Sequence, residues 1–209
     1  MEKLIRFSKI ASAITFLIAI LLCIDYFAPI GCFVISDHSN ELTWSSLPFV
    51  GLCLHYIVVF IFWLLMLESD KKSILRAPIA IGIISTGIGT LVILASLSIS
   101  YYMTATEFNI TNDILSYYPT IEFLHYLTLI GLFVSLFWIS TYIDDRLTKI
   151  LCRICAILPI LLALFNNSPR IFEIYNIIGI YHYISFFLRT TQYLIFAVFF
   201  YTLSKTNNF

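Results

Sequence analysis

Charged residues are scarce in this chain. Only 11% of its 209 residues are Asp, Glu, Lys or Arg, whereas 60% are hydrophobic. A soluble domain carries roughly a quarter charged residues because its surface must face water. The shortage excludes an ordinary water-soluble globule, and the length suits one integral membrane domain over residues 1–209. The formal net charge is zero, which gives no indication of a nucleic acid as partner.

Sequence motifs of catalysis are also missing. The chain has no phosphate-binding glycine loop, no G-x-S-x-G and no H-E-x-x-H, so no catalytic residue is predicted and a non-enzymatic role is favoured. The five cysteines do not form a disulfide framework. Cys152 and Cys155 stand in a C-x-x-C at the start of an apolar run, without the two further ligands that a zinc site needs.

Long apolar runs fill most of the chain. A bilayer-spanning helix needs roughly twenty apolar residues, and the runs predict an all-α polytopic membrane helical bundle of about six transmembrane helices. The last run, from Ile171 to Ser204, is longer than one vertical span requires, so it predicts either a tilted helix or a break near Gly179. The predicted spans are 10–30, 47–67, 77–100, 120–142, 150–166 and 175–203.

Basic residues lie almost entirely on one side of this arrangement. Arg170 is the only basic residue in the loops of the opposite side. Because Lys and Arg stay cytoplasmic during insertion, we predict a protein of the cell membrane with both termini in the cytoplasm. The residues on the basic side are Lys3, Arg6, Lys9, Lys71, Lys72, Arg76, Arg146, Lys149, Arg153 and Lys205.

A His-Tyr pair recurs near the outer end of each even-numbered span. Leu or Tyr precedes each pair and Ile or Leu follows it. Such a recurrence predicts three related helical hairpins. The pairs are His55-Tyr56, His125-Tyr126 and His182-Tyr183.

Three interpretations of these histidines remain open. They are unrelated residues of the membrane interface, or they line a polar cavity that binds a ligand or relays protons, or they bind metal or haem, with His55, His125 and His182 as candidate ligands. The repeated dipeptides resemble those of the bacterial MHYT sensor domain. That resemblance implies copper or diatomic-gas sensing, although the Met and Thr of its motif are replaced here.

The sixth span also has a polar face, made of residues spaced i, i+3, i+7 and i+10. An arginine near the centre of a span costs about 2.5 to 3.5 kcal/mol on the insertion scale, and such residues usually face a cavity and find a partner. Glu122, one turn from His125, is the preferred partner of Arg189, and Asp25, near the outer end of the first span, is the second candidate. A snorkelling arginine or a structural ion pair is the alternative. The polar face consists of His182, Ser185, Arg189 and Gln192.

The leading functional hypothesis is transport or small-ligand binding through an outward-facing polar pocket between the second, fourth and sixth spans. Arg189 would bind an anion and the histidines would act as proton-responsive donors. The alternatives are a haem- or metal-binding redox or sensor protein, and a non-catalytic accessory or immunity-type protein. Expected partners are the lipid bilayer, a small molecule or ion, and another membrane protein or a second copy. The predicted pocket residues are His55, Glu122, His125, His182, Arg189 and Gln192.

Overall fold

A computed structural model describes the backbone of residues 2–27, 32–37, 40–45, 47–69, 73–105, 118–172 and 178–205. Side chains are described for residues 2–24, 26, 50–69, 74–96, 98, 119–165 and 184–205. This part of the chain contains 6 helices that are long and apolar enough to cross a bilayer. The predicted all-α bundle of about six spans is therefore confirmed.

The helices extend beyond most of the predicted spans. Helix α1 begins at Glu2, well before residue 10, because its first turns project past the apolar run. The stretch from Ile171 to Ser204 is not one helix: its first residues belong to α5, and Gly179 lies in the first turn of α6. The helices are α1 (Glu2–Phe27), α2 (Leu47–Ser69), α3 (Arg76–Ala105), α4 (Tyr118–Ser140), α5 (Arg146–Phe172) and α6 (Ile178–Leu203).

A two-stranded antiparallel hairpin connects α1 to α2. Its strands are β1 (Cys32–Asp37) and β2 (Asn40–Ser45), with Cys32 opposite Ser45 and Asp37 opposite Asn40. The sequence analysis did not predict this hairpin, although Val, Ile, Thr, Phe and Trp in the two strands are residues that favour extended structure. We call this end of the bundle the hairpin end, and the end that carries both chain termini the terminal end.

The six helices form a closed ring. Each one packs against its neighbours in sequence, and α1 packs against α6 to close the circle. Neighbours are antiparallel: Lys3 at the start of α1 forms an ion pair with Glu68 at the end of α2. Similarly, the Ser12 hydroxyl of α1 donates to the Ala197 carbonyl near the end of α6, at 2.8 Å. Both described termini therefore lie at one end of the bundle.

Aromatic side chains fill the ring in its terminal half. The Phe62 ring of α2 meets Phe199 and Phe200 of α6 with ring centroids 6.2 and 5.5 Å apart. Trp63 beside it is fully buried. Large apolar side chains on the outer helix faces, such as Phe187, remain exposed, as lipid contact requires.

Small residues let α3 approach its two neighbours closely. A Cβ atom at Gly82 would overlap the Trp63 indole of α2, and one at Gly89 would overlap both Tyr56 of α2 and Thr128 of α4. In lipid, such close packing is a main source of helix association. The small residues of α3 therefore serve packing, and α3 lies between α2 and α4 in the ring.

An aspartate caps the beginning of α5. The Thr148 hydroxyl and the Thr148 backbone N–H donate to Asp145 Oδ2 at 2.6 and 2.7 Å. This is the geometry of an N-cap residue bonded to the third helical position. The two hydrogen bonds lower the pKa of the Asp145 carboxyl below its ordinary value. The cap fixes where α5 starts, immediately after the short loop from α4.

Candidate functional site

A cavity of about 150 Å³ lies between α2, α4, α5 and α6. Its depth follows from the helix register: His125 is seven residues beyond the start of α4 and Arg189 eleven beyond the start of α6. At 1.5 Å per residue, these side chains lie roughly 10 to 17 Å from the hairpin end. The cavity therefore occupies the hairpin half of the bundle, above the aromatic core.

The polar wall of the cavity comes mainly from α6. Arg189, Gln192 and Tyr193 line it together, because their spacing of i, i+3 and i+4 puts them on one helical face. Tyr56 of α2 and His125 of α4 complete this wall. The sequence predicted Arg189, Gln192 and His125 as pocket residues, and the structure brings these three to one cavity.

The opposite wall is apolar and comes from α5. Pro159, Leu162 and Ala163 line the cavity with the same i, i+3, i+4 spacing. Leu52 of α2 and Leu129 of α4 extend this surface. The sequence analysis assigned no part of the pocket to the fifth span, since an apolar face inside an apolar helix gives no signal of its own.

Arg189 has no acidic partner among the described residues. The ion pairs they form, Lys3 with Glu68 and Arg6 with Glu2, both lie at the terminal end. The Glu122 carboxylate, which we expected to pair with Arg189, instead accepts a hydrogen bond from the Tyr126 hydroxyl at 3.4 Å. The side chain of Asp25, the second expected partner, lies outside the described residues. Arg189 thus brings a positive charge to the cavity with no described carboxylate at ion-pair distance.

Two further side chains on the α6 wall are almost fully enclosed. Gln192 is 6% exposed and Tyr193 is fully buried. The Tyr193 hydroxyl has no hydrogen-bond partner among the residues the structure describes. Tyr193 was not predicted as a site residue, but its position four residues after Arg189 could have indicated it, because i and i+4 share a helical face.

His125 lies on the cavity wall, and Glu122 precedes it by three residues on the same side of α4. Glu122 is one helical turn closer to the hairpin end and does not line the cavity itself. His125 therefore contributes a ring nitrogen, as donor or acceptor, to the cavity. The Glu122 carboxylate lies on the same helix outside the cavity lining.

His55 lies behind the cavity rather than in it. Its ring packs edge-on against Tyr193 and Phe196 of α6, with centroids 5.0 and 4.5 Å apart. His55 is 3% exposed, and neither ring nitrogen has a hydrogen-bond partner among the described residues. On α2 it is Tyr56 that reaches the cavity, whereas on α4 it is His125. Two of the three His-Tyr pairs thus present different members to the site.

The metal hypothesis finds no assembled site in the described part of the chain. No three His, Cys, Asp or Glu side chains come together there in a way that could hold a metal ion. His55 and His125 point into different surroundings, and the His182 side chain lies outside the described residues. Cys152 and Cys155 are fully buried, with the Cys152 thiol donating to the Leu136 carbonyl at 3.3 Å.

No protein-family model, no curated protein and no solved structure matches the chain. The residues of the site form one cavity with a cationic and hydrogen-bonding wall on α6 and an apolar wall on α5.

Proposed function

We propose that this protein binds a small anion in the cavity between α2, α4, α5 and α6, and that it moves this anion across the membrane. The proposal rests on the position of Arg189 in the cavity wall. A buried or half-buried arginine in a membrane span costs free energy unless an anion or dipole compensates it. Because no described carboxylate compensates Arg189, a bound anion is the partner that best explains its presence.

The proposed location is the cell membrane, with both termini in the cytoplasm and the hairpin end outside. The observed ring supports this: Lys3, Arg76 and Arg146 lie at helix starts on the terminal end, and among the basic residues of the described helix ends only Arg170, near the end of α5, lies at the hairpin end. Basic residues mark the cytoplasmic side of membrane proteins. The cavity would then receive its anion from the outer side.

Gln192 and His125 supply the remaining polar contacts in this proposal. The Gln192 amide offers two N–H donors and the His125 ring offers at least one when suitably protonated. The Gln192 side chain lines the cavity, so its amide can donate to an anion held there. An anion at Arg189 would compensate a charge that has no described carboxylate beside it.

The first experiment is thermal unfolding of the purified full chain in detergent, with and without added solutes. The panel is chloride, nitrate, acetate and phosphate, with glycerol and urea as neutral solutes. A ligand at one hundred times its Kd stabilises the folded state by about 2.7 kcal/mol. We expect at least one anion, and neither neutral solute, to raise the melting temperature.

Arg189→Gln is the variant that tests the assignment, and Arg146→Gln is its matched control. Both remove one positive charge, but Arg146 is exposed at the terminal end. We expect Arg189→Gln to abolish the anion-dependent stabilisation and uptake into proteoliposomes, with both retained in Arg146→Gln. Equal responses in the two variants would show that the anion acts elsewhere.

A further inference from the structure

The two unlike walls of the cavity point to a particular class of anion. We propose that the ligand is a short-chain monocarboxylate of about six non-hydrogen atoms, its carboxylate on Arg189 and Gln192 and its alkyl part on α5. This assignment rests on the proposed function and narrows it. It follows from the charge, the apolar surface and the volume of the cavity.

The charge of the site favours a single negative charge. Among the described residues that line the cavity, Arg189 is the only arginine or lysine. The nearby Glu122 carboxylate, hydrogen-bonded to Tyr126, opposes any further negative charge. A planar guanidinium matches a carboxylate through two parallel N–H···O bonds. With His125 neutral, a divalent phosphate or sulfate would leave one negative charge uncompensated at this depth.

The apolar wall favours an organic anion over an inorganic one. Pro159, Leu162 and Ala163 offer no side-chain hydrogen-bonding group to a bound ion, and Leu162 is only 8% exposed. A hydrated chloride or nitrate would gain nothing from that surface. An alkyl chain gains roughly fourfold in affinity for each methylene that it buries. The wall on α5 is therefore a site for the hydrocarbon part of the ligand.

The volume of the cavity sets the size of the ligand. An apolar cavity of about 150 Å³ in another protein holds benzene, which has six carbon atoms. The cavity between α2, α4, α5 and α6 is also about 150 Å³. Butyrate, with four carbons and two oxygens, has the same number of non-hydrogen atoms. In this assignment its carboxylate lies on the α6 wall and its alkyl chain on the α5 wall.

The test is equilibrium binding to the purified full chain, measured by titration calorimetry with acetate, propionate and butyrate. Butyramide is the neutral analogue of butyrate, and nitrate is a planar inorganic anion. We expect affinity to rise about fourfold per methylene from acetate to butyrate, and butyramide and nitrate to bind at least tenfold more weakly than butyrate. Equal binding of nitrate and butyrate would overturn this assignment and leave the anion pocket standing.

Two adjacent leucines of α5 provide a matched pair for the apolar wall. Leu162 lines the cavity, whereas Leu161 is 53% exposed on the outer face. We expect Leu162→Ala to weaken butyrate severalfold more than acetate and Leu161→Ala to change neither. Ala163→Leu, which adds volume, should weaken butyrate below acetate even if Leu162→Ala folds poorly. If Ala163→Leu still binds butyrate more tightly than acetate, the assignment is overturned. If no anion binds to the unmodified protein, the proposed function is overturned as well.

Discussion

Helix α6 has one inward face, and the two halves of that face differ in chemistry. In the hairpin half it presents Arg189, Gln192 and Tyr193 to a cavity. In the terminal half, Phe196 and Phe200 continue the same i, i+3, i+4 pattern into a dry aromatic core. The helix geometry is the same throughout, so the difference lies in the side chains of α6 and in those that meet them from the neighbouring helices.

The comparison shows why a cavity forms in only one half. In the terminal half, aromatic rings of α2 and α6 fill the ring of helices across its centre. In the hairpin half, the cavity contains an arginine and an amide of α6 together with Pro159, Leu162 and Ala163 of α5. An arginine or an amide enclosed in an apolar core without a compensating partner costs free energy, whereas an aromatic ring does not. We infer that the terminal half carries stability and the hairpin half carries binding.

The largest effect is expected from removing an aromatic ring in the terminal half. Phe200 is 1% exposed, and Phe200→Ala leaves a cavity that should lower the free energy of unfolding by about 3 to 5 kcal/mol. Phe187→Ala, on the same helix but 67% exposed, is the control and should change it little. Unfolding by SDS titration measures both. Equal losses would show that the terminal half is no more tightly packed than the lipid-facing surface.

A smaller loss is expected from adding a methyl group to the close contacts of α3. Gly82→Ala forces Trp63 to move, and overpacking of this kind costs about 1 to 3 kcal/mol. At Gly87 the new Cβ would stand 3.6 Å from Phe60, an ordinary contact, so Gly87→Ala should be tolerated. The same SDS titration compares them. If Gly82→Ala leaves the free energy of unfolding unchanged, α2 and α3 can move apart without a loss of stability.

His55, which contacts both Tyr193 and Phe196, allows stability and anion binding to be tested separately. His55→Phe keeps the edge-on ring contacts and removes two ring nitrogens that have no described partner. Because burying unpaired polar groups is costly, we expect a gain of about 1 kcal/mol in the free energy of unfolding. His55 does not line the cavity, so anion affinity should be unchanged, whereas His125→Phe should reduce it. Loss of binding in His55→Phe would place His55 in the functional site.

The smallest effect is expected at the cap of α5. Asp145→Ala removes the acceptor for both Thr148 donors and should lower the melting temperature slightly, while Asp144→Ala should not. Because the pKa of Asp145 is lowered in the folded state, its stabilising contribution is complete at neutral pH and declines as the pH falls below about 4. The difference between the two variants should shrink over that range in thermal scans. A difference independent of pH would argue against the cap.

Several site residues could be predicted because their chemistry is out of place in an apolar run. Arg189 and Gln192 are conspicuous in a membrane span, and their spacing alone put them on one face. His125 and His55 were both predicted from the His-Tyr repeat. His125 lines the cavity, whereas on α2 the neighbouring Tyr56 lines it instead of His55. A repeated dipeptide does not reveal how each helix is rotated, since rotation depends on packing against neighbours.

Local composition determined what each segment is. Six apolar runs and the one-sided distribution of Lys and Arg were sufficient to predict six membrane-spanning helices, because a bilayer accepts only segments that satisfy their own backbone hydrogen bonds. Only the tertiary structure decided which helices are neighbours, that Arg189 faces the apolar wall of α5, and that Glu122 bonds to Tyr126. Those outcomes depend on side chains distant in sequence that compete for the same space, and no local pattern records that competition.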